Sequence, residues 1–381
     1  SNTNYSHQRT FEDIEREIAN YSDVAEKIIK LAVYGKAQNR SYERLALFVD
    51  TFGPRLSGSR NLELAIQYME HALRKDDLEN VHLEPVKIPH WERGEESAVM
   101  IEPYNHTIAM LGLGGSVATP PEGITAEVLV VSSFDDLHKK APEVHGKIIV
   151  YNQRYINYGK TVLYRLHGAV EAAKLGAKAS LIRSIAPFSI NSPHTGMQTY
   201  DSTVPQVPTA CISIEDAELM ARLFSRGTKI VVTLKMGAKT YPDADSFNTV
   251  AEITGSKYPE QVNISDFDMV MESDEGTFTP TGLAFTGSLK ARCIMKGIMK
   301  HLKLLNITNV FEGGGGTDIN YWIHEGIPGA SLSNDITKYF WFHHSQGDTM
   351  TVQDPVKMNL CAALWTVVSY VIADMEEKVP V

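Results

Sequence analysis

Residues 338–350 read KYFWFHHSQGDTM, and the interpretation of the chain starts from this stretch. Four aromatic residues at 339–342 run into His343, His344 and a polar turn that contains glycine. An apolar run ending in such a turn is typical of a strand that reaches the rim of a sheet, where open α/β folds build their sites. A histidine at that position serves as a metal ligand or general base, or it only caps a core strand. The pattern predicts a strand that ends at a site histidine.

A second stretch, residues 268–276, reads DMVMESDEG and has the same form. Its short apolar run ends in two carboxylates, Glu272 and Asp274. A carboxylate and an imidazole at two strand ends are the start of a metal site, although they are not a complete one. We therefore predict Asp274 and His344 as metal ligands. Glu272, His343 and Asp348 lie nearby in sequence, and no geometric reason makes any of them a replacement ligand.

The composition excludes several classes of partner. The chain has 381 residues, 43% of them hydrophobic, which is enough for two domains or for one domain with an insertion. Its formal net charge is -10 and no block of lysine and arginine stands out, so nucleic acid and anionic membrane are not expected partners. No apolar run approaches the roughly 18–20 residues that span a bilayer, so we expect no membrane span.

Glycosylation sequons favour a secreted or lumenal chain. Asn-x-Ser/Thr occurs six times, at Asn4, Asn20, Asn39, Asn105, Asn263 and Asn306. We expect glycans at the four sequons that follow the first 22 residues, namely Asn39, Asn105, Asn263 and Asn306. The first ten residues lack the apolar core of a signal peptide, so the chain is either cytosolic or given after signal removal. Its three cysteines leave at least one thiol free or paired between chains.

Hydrophobic periodicity predicts a helical start, an α/β middle and an alternating C-terminal third. Helices are expected near residues 10–20, 22–34, 41–51, 61–75, 162–175, 214–225, 288–305, 319–324 and 354–376. Strands are expected near residues 81–88, 107–113, 126–131, 147–151, 179–182, 230–236, 248–253, 268–271 and 327–332. In residues 105–240 short apolar strand candidates recur with helices between them, which suggests a small α/β module inserted into a larger domain. That module carries no His, Asp and Glu cluster at ligand spacing, which favours a lid or spacer.

Other catalytic motifs are absent from the sequence. The glycine run at 313–316 is followed by Thr317 and Asp318 rather than by Gly-Lys-Ser/Thr, so a phosphate loop is not favoured. There is no Gly-x-Ser-x-Gly elbow and no His-Glu-x-x-His helix. Serine hydrolases and that type of zinc protease are therefore not supported.

Long phrases of the chain resemble the plasma glutamate carboxypeptidase (carboxypeptidase Q) family of co-catalytic di-zinc peptidases, to which the transferrin receptor is related. They include SYERLALFVDTFGPRLSGSRNLE, VHLEPVKIPHWERGEESAVM, MGAKTYPDADSFNTVAEITGSKYPEQ, MESDEGTF, GTDINYWIHEGIPGASL and FWFHHSQGDTMTV. The resemblance implies a zymogen whose zinc carboxypeptidase or dipeptidase domain hydrolyses short unblocked peptides. It also implies a homodimer that is secreted or lysosomal and passes through the endoplasmic reticulum and Golgi.

The same resemblance implies a domain plan and a fold class. Residues 1–22 resemble a propeptide, 23–104 and 241–381 two parts of the peptidase domain, and 105–240 a protease-associated module. The fold class is α/β, with a mixed, mostly parallel sheet between helices, truncated in its centre, and the inserted α/β module.

The family's metal site departs from this chain at one place. In the family, two zinc ions take five protein ligands, and Asp274 and His344 match the fourth and the fifth. The first three ligands and the general-base glutamate belong between Gln261 and Asn263, where only Val262 stands. A deletion at about residue 262 therefore predicts that zinc is not retained. Three hypotheses remain open: an active zinc peptidase, an inactive peptidase-like binding protein, and a splice variant or gene-model error without a stable fold.

Overall fold

The computed structural model describes residues 9–257 and 267–381. The predicted deletion at residue 262 and the sequon at Asn263 lie outside the described residues. The described chain divides into two compact units. The first unit contains residues 9–51, 251–257, 267–337 and 350–381, and the second contains residues 52–250 and 338–349. The domain boundaries proposed from the sequence stay predictions.

Twelve α-helices and fourteen strands occur in the described part of the chain. The helices are α1 Phe11–Ala19, α2 Ser22–Ile29, α3 Arg40–Phe52, α4 Arg60–Lys75, α5 Phe134–Lys139, α6 Ala141–Val144, α7 Tyr158–Lys174, α8 Ile214–Ser225, α9 Leu289–Met299, α10 Asn320–His324, α11 Tyr339–Phe342 and α12 Pro355–Asp374. The strands are β1 Glu79–Glu92, β2 Glu96–Glu102, β3 His106–Ile108, β4 Met110–Gly112, β5 Ile124–Val131, β6 Ile148–Tyr151, β7 Ala179–Arg183, β8 Thr209–Ile212, β9 Val231–Met236, β10 Lys239–Glu252, β11 Val270–Glu272, β12 Pro280–Thr286, β13 Asn309–Glu312 and β14 Gly329–Asn334.

The first unit is built on a four-stranded mixed sheet in the order β11-β14-β12-β13. The β11–β14 and β12–β13 pairs are parallel, and the β12–β14 pair is antiparallel. Helices α1, α2, α9 and α12 contribute side chains to a single buried apolar cluster with β12 and β14. This arrangement confirms the predicted α/β class with a mixed, mostly parallel sheet.

Helix α12 is the described helix that is long and apolar enough to cross a membrane by length and composition. Asp354 caps its first turn by accepting a hydrogen bond from the Lys357 amide at 3.0 Å, and Pro355 occupies the first helical position. Val367, Val368 and Val371 on its inner face are fully buried in the cluster of the first unit. In this structure α12 is a core helix.

The second unit contains an eight-stranded sheet in the order β3-β2-β9-β5-β6-β7-β8-β4. Its centre, β5 to β8, is parallel, and the flanking pairs are antiparallel. All four residues of β6 and of β8 are buried, as expected for strands covered on both faces by helices. A separate two-stranded ribbon pairs β1 with β10.

The structure corrects several local predictions. Residues 339–342 form the short helix α11 rather than a strand, and none of its side chains is fully buried. Strands β2, β8, β12 and β13 were not predicted. Strand β2 buries Ala98 and Met100 between two antiparallel neighbours, and β8 is too short to show a period. In each case a neighbouring segment, rather than the local sequence, determines the secondary structure.

Candidate functional site

Asp274 lies in the first unit, two residues beyond the end of β11, and its side chain is exposed. The position agrees with the prediction of a carboxylate after a strand end. Glu272, at the last position of β11, is already engaged. Its Oε2 accepts hydrogen bonds from the amides of Asp318 at 3.1 Å and Ile319 at 3.3 Å, just before α10. Glu272 therefore satisfies backbone donors at a helix start, which argues against a metal-ligand role.

Part of the glycine run at 313–316 is explained by close packing. A Cβ atom on Gly314 would lie 2.2 Å from the carbonyl oxygen of Ala284, and one on Gly316 would lie 2.0 Å from Oε2 of Glu272. Neither position has room for a side chain, so β12 and the Glu272 carboxylate require glycine there. This packing accounts for Gly314 and Gly316 without a phosphate ligand, while Gly313 lies in the left-handed region with a φ of 88°.

His344 lies in the second unit, two residues after α11, and its side chain is exposed. Its φ of 58° places it in the left-handed region, which is uncommon for a residue other than glycine. The conformation is held by the neighbouring loop. The His344 carbonyl accepts a hydrogen bond from the Thr195 amide at 2.7 Å, and Ser345 forms an antiparallel bridge with His194. A turn tied to this loop, rather than a strand end, presents the histidine.

Three imidazoles meet at this turn, and only two of them were expected. The ring centroids of His343 and His344 are 4.0 Å apart, and that of His194 lies 5.7 Å from the first and 5.2 Å from the second. His194 comes from the segment between β7 and β8, about 150 residues earlier in the chain. The sequence placed no histidine cluster in the inserted module, and no spacing motif marks His194, because only the fold brings it near the others.

Burial keeps two of these imidazoles neutral. His194 is 1% exposed, and burial, reinforced by the nearby charge of Arg165, holds its pKa well below the usual range. Burial, together with His344 and then Arg165, lowers the pKa of His343 to about 3. Both ring nitrogens of His194 and Nδ1 of His343 are buried without a hydrogen-bond partner in the described structure. Two neutral imidazoles with unpaired ring nitrogens therefore lie beside His344.

The described residues do not supply the ligand set of two zinc ions. Among residues 9–257 and 267–381, no three His, Cys, Asp or Glu side chains are arranged to hold a metal. Asp274 belongs to the first unit and His344 to the second. Asp348 has an exposed side chain, and its amide donates to the Ser345 carbonyl at 3.2 Å. A di-zinc centre therefore does not fit the described side chains.

Comparison with solved structures identifies the fold. The chain superposes on a Peptidase M28 precursor from Shewanella amazonensis with a TM-score of 0.85 and 23% identity, covering 95% of this chain and 98% of that one. It is also similar to BSAP, a zinc aminopeptidase from Bacillus subtilis, with a TM-score of 0.61 and 16% identity, covering 87% of this chain and 95% of that one. The fold is that of the M28 peptidases. No protein-family model matches the chain.

Sequence comparison then specifies the family. Carboxypeptidase Q of Homo sapiens is 60% identical, covering 98% of this chain and 93% of the relative, and that of Mus musculus is 58% identical, covering 98% and 94%. Carboxypeptidase Q of Xenopus laevis is 55% identical, covering all of this chain and 95% of the relative. The chain belongs to the carboxypeptidase Q family. The match to the human relative extends over 441 residues, whereas this chain has 381, so at least 60 positions of that alignment have no residue here.

Proposed function

We propose that this chain is a peptidase-like protein that binds short peptides without hydrolysing them. The observation that carries the proposal is the length of the family alignment, which exceeds the chain by at least 60 positions at 60% overall identity. The only interruption that the sequence pattern indicates is at residue 262. A segment of that length holds a strand–helix–strand–helix block, and the resemblance assigns three ligands and the general base to it.

Counting ligands explains why catalysis is not expected. A catalytic zinc ion needs about three protein ligands and one open position. In the family arrangement Asp274 serves one metal and His344 the other, so each metal would keep a single ligand. Monodentate carboxylate or imidazole ligands do not hold zinc singly against water. We therefore assign no catalytic step to this chain, and its remaining chemistry is recognition of the peptide.

The surroundings of the retained residues support this proposal. Glu272 is bound to backbone amides, so recruiting it as a ligand would leave the amides of Asp318 and Ile319 unpaired, at a cost of about 1–3 kcal/mol for each amide that becomes buried. His343 is packed between aromatic rings, 5.2 Å from Tyr158 and 4.9 Å from Tyr339, centroid to centroid. Neither group is arranged to replace a missing ligand.

We also propose that the chain follows the secretory route and is glycosylated. The sequons at Asn105 and Asn306 have exposed asparagines, as a glycan acceptor requires. Asn39 is half-buried, and its Oδ1 accepts a hydrogen bond from Nδ2 of the buried Asn359 at 3.0 Å. We expect fuller occupancy at Asn105 and Asn306 than at Asn39, measured by mass spectrometry of the chain secreted from animal cells.

The decisive experiment measures metal content and hydrolysis on the same preparation. The chain purified in zinc-containing buffer should hold less than one zinc ion per molecule by elemental analysis, and it should leave Ala-Phe intact. The positive control is a chimera that carries, at residue 262, the corresponding segment of the human relative; it should bind two zinc ions and hydrolyse Ala-Phe. Two zinc ions in the natural chain, with hydrolysis that a chelator abolishes, would overturn the proposal.

A further inference from the structure

We propose that a small basic cavity in the second unit binds the free carboxylate of a short peptide, an inference that rests on the proposed peptide-binding function. The cavity has a volume of about 320 Å³. It is lined by Arg154, Tyr155, Arg183, Ala186, Pro187 and Glu218. Two guanidinium groups and one carboxylate give the lining a net positive charge, whereas the whole chain has a net charge of -10.

Arg154 is a cation on the cavity wall without a partner in the described part of the chain. Its side chain is exposed and has no hydrogen bond or ion pair within the described part of the chain. A guanidinium presents a planar fork of N–H donors that matches a carboxylate with two parallel hydrogen bonds. An unpaired arginine on a cavity wall is therefore suited to an anionic ligand.

Arg183 is a second, partly committed donor. One of its terminal nitrogens bonds Oε1 of Glu218 and, at 3.1 Å, Oδ1 of Asn152. Its Nε is buried and lacks an acceptor in the described structure. A buried N–H without an acceptor costs about 1–3 kcal/mol. Because this Nε is shielded from the cavity, a ligand carboxylate would instead bond Nη2 of Arg183, which makes no hydrogen bond in the described part of the chain.

The walls of the cavity favour a peptide over a fully polar anion. Ala186 and Pro187 form an apolar side, and the next residue, Phe188, packs against Trp341 with ring centroids 4.8 Å apart. Tyr155 lies 6.4 Å from Phe340, centroid to centroid, so the cavity adjoins α11, which leads into the predicted ligand His344. An apolar C-terminal side chain would lie on these rings while its carboxylate faces the arginines.

A larger cavity of about 610 Å³ near Gly176 provides a contrast within the same unit. Its single cation, Lys174, already pairs with Glu171 at 2.7 Å. Volume alone therefore does not identify the site, and the basic cavity is distinguished by its uncommitted donors.

The test is isothermal titration calorimetry of the full chain with Ala-Phe and with its C-terminal amide. We expect Ala-Phe to bind at least about tenfold more tightly than the amide, because only the acid makes charge-assisted hydrogen bonds. Arg154→Ala should remove this preference, while Arg222→Ala, at an exposed arginine of α8, should preserve it. Glu218→Gln should tighten Ala-Phe binding by about two- to fivefold, because it frees Arg183 from its partly buried ion pair with Glu218; a merely misfolded variant would not show such a gain.

Each outcome bears on one proposal. Equal binding of acid and amide, or unchanged Ala-Phe binding by Arg154→Ala, overturns the cavity assignment while leaving peptide binding intact. Inorganic phosphate that displaces Ala-Phe supports the site, whereas phosphate binding without Ala-Phe binding overturns the peptide as occupant. Hydrolysis of Ala-Phe would overturn the proposed function and would leave the comparison of wild type with Arg154→Ala unaffected.

Discussion

Arg165 on α7 holds the loop that shapes the histidine turn, and replacing it tests this arrangement. The side chain is 6% exposed and has no carboxylate partner among the described residues. Its Nε donates to the Met197 carbonyl at 3.1 Å, and Nη1 bonds the Thr195 carbonyl at 3.3 Å and the Tyr158 hydroxyl at 3.1 Å. A Cβ atom on Gly196 would lie 2.6 Å from Cζ of Arg165, so the loop follows the guanidinium closely.

The expected cost of Arg165→Met follows from these contacts. Three hydrogen bonds to a charged donor contribute about 1.5 kcal/mol each at the low end, or roughly 4–5 kcal/mol in total. Removing the charge also removes the desolvation penalty of this buried ion, which offsets about half of that sum. We expect a net loss of about 2–3 kcal/mol in the free energy of unfolding of the second unit.

The assay combines urea unfolding with amide hydrogen exchange. The Thr195 amide, which donates to the His344 carbonyl, should lose protection in Arg165→Met while amides of β6 keep theirs. Gly196→Ala should reproduce the local effect, because its side chain would displace the guanidinium. Arg222→Met, at an exposed position of α8, is the matched control. A change below about 1 kcal/mol, or unaltered protection of Thr195, would refute the reasoning.

Three further predictions concern other parts of the chain. Burial raises the pKa of the Cys211 thiol to about 12, so iodoacetamide should leave this thiol unlabelled in the native protein. The half-buried Cys293 should react first. Peptide mapping that finds Cys211 labelled early would contradict this prediction. Burial alone would raise the pKa of Asp136, but hydrogen bonds from Ser132 and the charge of Lys140 outweigh it, so the pKa is lowered. The Asp136 carboxylate therefore stabilises the fold above its unfolded pKa of about 3.9, and this stabilisation should disappear as the pH falls through the folded pKa. Asp136→Asn should flatten that part of the curve of unfolding free energy against pH. Gly314→Ala should destabilise the first unit by about 2 kcal/mol or more, because its Cβ would meet the β12 backbone; a melting temperature within a degree of wild type would refute it.

The local sequence was sufficient for elements whose signals lie within one turn or one strand. Helix α8 begins and ends where its periodicity predicts, since Ser213 caps the first turn by accepting from the Asp216 amide at 3.1 Å. Helix α12 likewise follows its Asp354 cap and its Pro355. The carboxylate after β11 was also predictable, because an apolar strand followed by polar residues is a local pattern. Family membership followed from long matching phrases rather than from any spacing rule.

The tertiary structure alone decided the histidine turn and the basic cavity. Residues 339–342 have the composition of a strand, yet they form a helical turn because their rings pack against Tyr158 and Phe188 from distant parts of the second unit. His194 reaches the other imidazoles only through the fold. The hydrophobic periodicity of a segment shows which of its side chains are buried. It does not show which other segment they pack against, because that depends on contacts between residues far apart in the chain. Arg154 follows β6 and Arg183 is the last residue of β7, with α7 between them in the chain, and only the parallel order of β6 and β7 brings them to one cavity.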